Sequence, residues 1–130
     1  MNGIFCQFLL WACVFSTPSH DIVDKITSAI KAGNSSELAQ YFGNTVDLSI
    51  MGKEDLYSKN QAEQIIKDFF YKYPPKQYTP KNHNSSVSAS QYGIGTYHDQ
   101  SGKVFKVYFV IKKMGNQTLI QLFSIEAEIH

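Results

Sequence analysis

Four histidines, His20, His83, His98 and His130, are the side chains best suited to metal or proton chemistry near neutral pH, and no two stand one helical turn apart. Zinc sites need several ligands converging at short, regular spacings, so no metal and no cofactor are expected. His98 and Asp99 read together as an exposed turn pair. Acid–base chemistry would require a buried carboxylate facing an aromatic hydroxyl. Asp47, Asp55, Asp68 and Glu126 are the carboxylates near ordered elements. Asp47 alternates with apolar strand neighbours, Asp68 falls on the polar side of a helical stripe, and Glu126 lies opposite Phe123 and Ile125. None is aimed inward, so an isomerase- or dehydratase-like enzyme ranks third, behind two non-enzymatic readings.

Nucleophilic catalysis fares no better. There is no Gly-x-Ser-x-Gly elbow. Both cysteines, Cys6 and Cys13, lie in the apolar first segment of the chain. Gly93-Ile94-Gly95 lacks the third glycine and the following helix of a dinucleotide fingerprint, and reads as a strand bend or a close approach of another backbone. Recognition without chemistry is what remains. Tyr57, Tyr71, Tyr92, Tyr108 and Gln121 each carry a polar tip suited to orienting a ligand. With the apolar residues expected beside them, the pocket candidates are Tyr57, Phe69, Tyr92, Phe109, Gln121 and Phe123. Tyr108, Val110, Ile120 and Leu122 are the candidates for an interface between sheets, including that of a homodimer.

The elements that position these residues follow from periodicity. Ile22, Val23, Ile26, Ala29 and Ile30 recur at helical spacing, with Gly33 placed to end the helix. Asn34 and Glu37 resemble a capping box opening a second short helix that carries Leu38, Ala39 and Phe42. Thr45 to Ile50 alternates as a half-buried strand, and Met51 to Ser58 reads as a turn with a short extended piece around Leu56 and Tyr57. Ser58 and Gln61 form a capping box for the strongest helix, striped by Ala62, Ile65, Ile66, Phe69, Phe70 and Tyr73 and ended by Pro74-Pro75. Strands follow: a short edge over Lys76 to Thr79, a polar loop over Lys81 to Ser85, then Val87 to Tyr97, Lys103 to Met114 and Gln117 to Ile129. Unbroken alternation turns Phe105, Val107, Phe109 and Ile111 inward, with Leu119, Gln121, Phe123 and Ile125. Helices first and strands last predict an α+β domain: a curved antiparallel sheet of about four to five strands on the N-terminal helices and one long helix. Such a sheet leaves a cone open at one end, where a pocket can form.

At 130 residues, with 43% hydrophobic and 14% aromatic side chains, the chain has the apolar mass for one core. A net charge of +1 with signs interspersed gives no basic tract for nucleic acid. Met1 to Phe15 carries no charge, and its apolar run is too short to span a bilayer. It reads as a signal peptide over residues 1–19, or alternatively as a buried helix, followed by a single domain over residues 20–130. Leu10-Trp11-Ala12-Cys13 matches a lipoprotein box poorly, because Trp11 is bulky and Val14 and Phe15 are apolar. Export to the periplasm or medium is therefore expected over lipid anchoring.

Asp21-Ile22-Val23-Asp24, the run from Ile30 to Asn34, Tyr57 to Gln64, Asp68-Phe69-Phe70, Pro74-Pro75, Tyr108 to Lys113 and Leu119-Ile120-Gln121 carry a family resemblance. Over about Asp21 to Glu126 the chain resembles a family of small secreted Bacteroidetes proteins known as domain of unknown function 4783. That family is similar to the nuclear transport factor two-like, or cystatin-like, superfamily. The resemblance implies a curved antiparallel sheet around a long helix. It implies no activity, since the superfamily holds enzymes, binding domains and oligomerisation modules alike. Three glycosylation sequons, at Asn34, Asn84 and Asn116, carry no weight in a bacterial setting. The leading expectation is a non-enzymatic binding domain for a small apolar or amphipathic ligand. The alternative is a structural or dimerisation module using the outer sheet face.

Overall fold

The computed structural model describes residues 22–83 and 90–128. The segment expected to be a signal peptide, residues 1–19, and His20, His130 and the Asn84 sequon lie outside them. Helix α1 (Ile22–Ala32) buries Val23, Ile26, Thr27, Ala29 and Ile30 along one side. It ends in a Schellman turn, with the Gly33 N–H donating to the Ile30 carbonyl and the Asn34 N–H to the Ala29 carbonyl, both at 3.0 Å. Gly33 holds φ at +64°, and a Cβ there would press on the Pro75 ring at 3.0 Å. Asn34 then caps α2 (Ser35–Ala39), its side-chain oxygen accepting from the Glu37 N–H at 3.0 Å. Helix α3 (Lys59–Lys72) opens on the expected capping box. The Ser58 hydroxyl accepts from the Gln61 N–H at 3.2 Å, and the Gln61 side chain accepts from the Ser58 N–H at 3.3 Å.

Six strands form one open, curved sheet: β1 (Phe42–Ile50), β2 (Lys53–Ser58), β3 (Pro75–His83), β4 (Ser90–Asp99), β5 (Val104–Met114) and β6 (Gln117–Ala127). Their order is β2-β1-β6-β5-β4-β3, and β1 pairs with β6 in parallel while all other pairs are antiparallel. The expected four to five antiparallel strands are thus corrected to six in a mixed sheet. Two elements account for the difference. Met51 and Gly52, with φ of +53° and +88°, form a tight hairpin turn, so the short extended piece is a whole strand, β2. Its residues are exposed except half-buried Tyr57, which erases any alternation in the sequence. The second is β3, which runs on to His83 at the other edge. It tolerates Pro80 because the register shifts there and no further strand needs its amide.

The arms of the long hairpin slip by one residue. Val110 faces Leu122, yet Ile111 faces Ile120, so Gln121 is the extra residue of a β-bulge. One inserted residue reverses every side chain beyond it. Ile120 is therefore fully buried beside Phe123 and Ile125, which corrects its expected outer position. Leu119 and Gln121 are only half-buried, which corrects their inward placement.

The three helices cover one sheet face, and aromatic rings fill the space between. Phe109 stacks on Phe123 with centroids 6.2 Å apart, and Phe123 meets Phe42 edge-on at 6.0 Å. Phe69 packs edge-on against Phe105 at 5.1 Å and tilts against Tyr97 at 5.6 Å. Gly93 and Gly95 are the floor for two of the rings. A Cβ on Gly93 would lie 2.4 Å from the Phe109 ring, and one on Gly95 would lie 2.4 Å from the Tyr78 hydroxyl. The close approach at this Gly-x-Gly is by side-chain rings, not by a neighbouring backbone.

Candidate functional site

An open groove lies between α3 and the β1–β2 hairpin, with a volume of about 390 Å³. Ile65, Asp68, Phe69, Lys72 and Tyr73 reach it from α3, at the spacings of three and four that place residues on one side of a helix. Leu48 and Ile50 come from the inner face of β1, Met51 from the turn, and Lys53 and Tyr57 from β2. Leu48 and Phe69 are almost wholly buried and form an apolar floor. The rim is polar: Lys72 pairs with Asp68 at 3.4 Å, one turn away and well exposed. A second hollow of about 420 Å³ adjoins the first through Met51 and Tyr73, which line both. Its walls include Lys103, Val104 and Phe105 at the start of β5 and Glu128 after β6.

Tyr73 is the post between the two hollows. Its ring packs against Phe69 at 5.1 Å and Phe105 at 5.0 Å, and the Lys103 ammonium lies 5.3 Å from its centroid. Its carbonyl accepts a hydrogen bond from the Tyr97 hydroxyl, which anchors the end of α3 to the sheet. Burial pushes the Tyr97 hydroxyl well above the ordinary phenol range, and the negative charge of Asp99 adds to the shift. Tyr78 is raised by burial alone.

Asp99 organises the turn bordering the second hollow. Its carboxylate accepts from the Ser101 N–H at 2.9 Å, the Lys103 N–H at 2.8 Å and the Ser101 hydroxyl at 2.9 Å. Burial opposes its charge, but the amides of Lys103, Ser101 and Gly102 and the Ser101 hydroxyl outweigh burial and hold it below the usual aspartate range. The expected exposed His98–Asp99 pair is thus corrected: Asp99 is 2% exposed and His98 half-buried on the opposite face.

Of the pocket candidates, Tyr57 and Phe69 line the groove. Phe109 and Phe123 stack on one another inside the core, and Gln121 sits at the bulge, its amide nitrogen 3.1 Å from where a Gly43 Cβ would be. Tyr92 faces the outer side of the sheet, its ring 6.3 Å from that of Tyr108. These four lie away from the groove. Lys53, Lys72 and Tyr73 line it without having been singled out. The signal for two of them was the α3 spacing, which carries Lys72 and Tyr73 to the side of Ile65 and Phe69.

Carboxylates cluster elsewhere. Glu126 accepts from the Ser49 hydroxyl at 2.7 Å on the outer face. Glu54 is raised by a hydrogen bond to Asp47 and by the charges of Asp47 and Glu126. Among the described residues, no three histidine, cysteine or acidic side chains converge as metal ligands. No described helix is long and apolar enough to cross a membrane. Asp68 is the one carboxylate lining the groove among the described residues, and it stands on the rim paired with lysine. The arrangement can bind and orient, with no buried acid facing its floor.

Solved structures place the fold. A protein from Bacteroides ovatus is 28% identical with a TM-score of 0.75, covering 82% of this chain and 94% of its own. One from Bacteroides uniformis is 25% identical with a TM-score of 0.79, covering 85% of this chain and 100% of its own. Both are described as DUF4783 family proteins. An NTF2-like protein of unknown function from Shewanella baltica, 13% identical with a TM-score of 0.62 over 84% of this chain and 90% of its own, shares the fold. No curated protein matches the sequence. Residues 23–126 match the family described as Domain of unknown function (DUF4783). That span holds every described strand pairing but the last rung of β6, and the chain belongs to the DUF4783 family.

Proposed function

We propose that this is a non-enzymatic binding domain whose ligand is a small apolar or amphipathic molecule held between α3 and the β1–β2 hairpin. The observation that carries the reading is the groove: half-buried Ile65 and the rings of Tyr57 and Tyr73 line it above a floor of Leu48 and Phe69. Its volume falls within the usual range for small-molecule sites. Each methylene covered there would contribute about 0.8 kcal/mol. Half-buried Ile65 lines the groove without being needed by the deep core, so Ile65→Trp should fill it. Binding of an apolar fluorescent dye to the wild-type chain should be lost in that variant, with thermal stability kept. A wild-type chain that binds neither dye nor alkyl alcohols would remove the reading. We further propose export, on the strength of the uncharged apolar leader; N-terminal sequencing of the protein from a periplasmic fraction should begin near residue 20.

A second reading is favoured by the outer sheet face. Tyr92, Val110 and Leu122 form one rung across β4, β5 and β6, with Ile94 and Tyr108 on the next, and none of the described helices covers them. Apolar residues this contiguous often mark an interface. Two copies stacked face to face about a twofold axis along the strands would set Lys106 of one against Glu126 of the other. Tyr108→Glu should reduce the mass seen in sedimentation. A wild-type chain that is monomeric at high concentration would rule the stacking out.

A further inference from the structure

The charges around the groove point to the class of its ligand, an inference that rests on the groove being a binding site. Asp68 and Lys72 satisfy one another on the rim. Lys53 lines the same groove and has no carboxylate within ion-pair distance among the described residues. Lys103, in the adjoining hollow, rests over the Tyr73 ring, likewise with no carboxylate in range. Glu128 lines that hollow but makes no ion pair there. The shared rim of Met51 and Tyr73 is therefore flanked by two ammonium groups that make no ion pair among the described residues.

We propose that the groove takes a single-chain amphipath with an anionic head, its chain against Leu48, Ile65 and Phe69 and its head at the rim between Lys53 and Lys103. An anionic oxygen there gains charge-assisted hydrogen bonds. Attraction is stronger than in open water because aromatic rings, not solvent, form the wall beside the head. Lysine suits the role, since its long stem lies along apolar surface while the ammonium reaches the edge. A cationic head would face the same two ammonium groups and be repelled, and a neutral head would gain no ion pairing.

The test is calorimetric titration of the full chain above neutral pH with dodecanoate and dodecyltrimethylammonium, each below its micelle concentration, and with dodecanol below its solubility limit. The same titrations follow in Lys53→Gln/Lys103→Gln, whose exposed side chains can change without disturbing the core. Dodecanoate is expected to bind at least about tenfold more tightly than the other two, and the double variant to erase that preference. Equal affinity for dodecanol or the cationic probe would overturn the charge inference and leave the groove reading standing. A preference that survives in the double variant would overturn the placement of the head. Silence from all three probes would overturn the inference together with the groove reading.

Discussion

Gly93 and Gly95 show how a residue with no side chain positions two that have large ones. Phe109 lies across Gly93 and Tyr78 across Gly95, each filling the space of an absent Cβ. Gly93→Ala would drive its methyl into the Phe109 ring, which cannot retreat from Phe123. The expected cost is about 1–3 kcal/mol, read as a lower urea midpoint at unchanged slope. Asp99 gives a prediction with a pH sign. Its folded pKa lies below the ordinary value of 3.8, so its contribution is complete above that value and is lost as pH falls through the folded pKa. Asp99→Asn should cost about 1 kcal/mol near neutral pH. The gap between wild type and variant should narrow on acidification below the ordinary aspartate range, as followed by chemical denaturation at several pH values. In the sequence this residue looked like half of an exposed pair, because apart from the Ser101 hydroxyl the donors around it are backbone amides, which side-chain identities do not announce.

Elements were legible where several signals agreed. Helix α3 carries a capping box at one end, two prolines at the other and an apolar stripe between, and all three agree on its bounds. Strand β2 was nearly invisible: an edge strand with one half-buried side chain has no alternation to read. Its turn is the better clue, and it is an imperfect one. Met51 adopts φ of +53°, where a side chain other than asparagine or aspartate is strained. Met51→Asn should stabilise the chain by about 0.5–1 kcal/mol in thermal unfolding. The bulge at Gln121 explains why that residue left the inner face on which alternation placed it. Period-two reasoning holds along a strand only while every residue has a partner, and nothing in Leu119-Ile120-Gln121-Leu122 marks the one that lacks it. Ile120 and Leu119 exchanged faces for that reason, and Gln121 was left beside Gly43 rather than in the groove.

At the scale of the whole molecule, helices early and strands late gave the α+β layering correctly, but not the parallel joint inside the sheet. That joint is a long-range property. Strand β1 meets β6 only after the chain has passed through the β1–β2 hairpin, α3 and a three-strand meander on the far side. The groove depends on the same arrangement, since one wall is the hairpin held by β6 and the other is the helix that precedes the meander. A chain ending at Asn116 would lack β6, and with it the strand between β1 and β5. It should show no cooperative thermal transition, while its helical circular dichroism signal falls only in part.

The consequence concerns time as well as space. Of the six described strands β6 is made last, and it is the strand that joins the two parts of the sheet. Until it emerges, the first half of the chain has a hairpin with an open edge, and the second half has no neighbour on its inner side. The fold is therefore rich in long-range pairings and closes only once β6 has emerged. A chain built in this way stays open at its centre until the last of its six strands has been made.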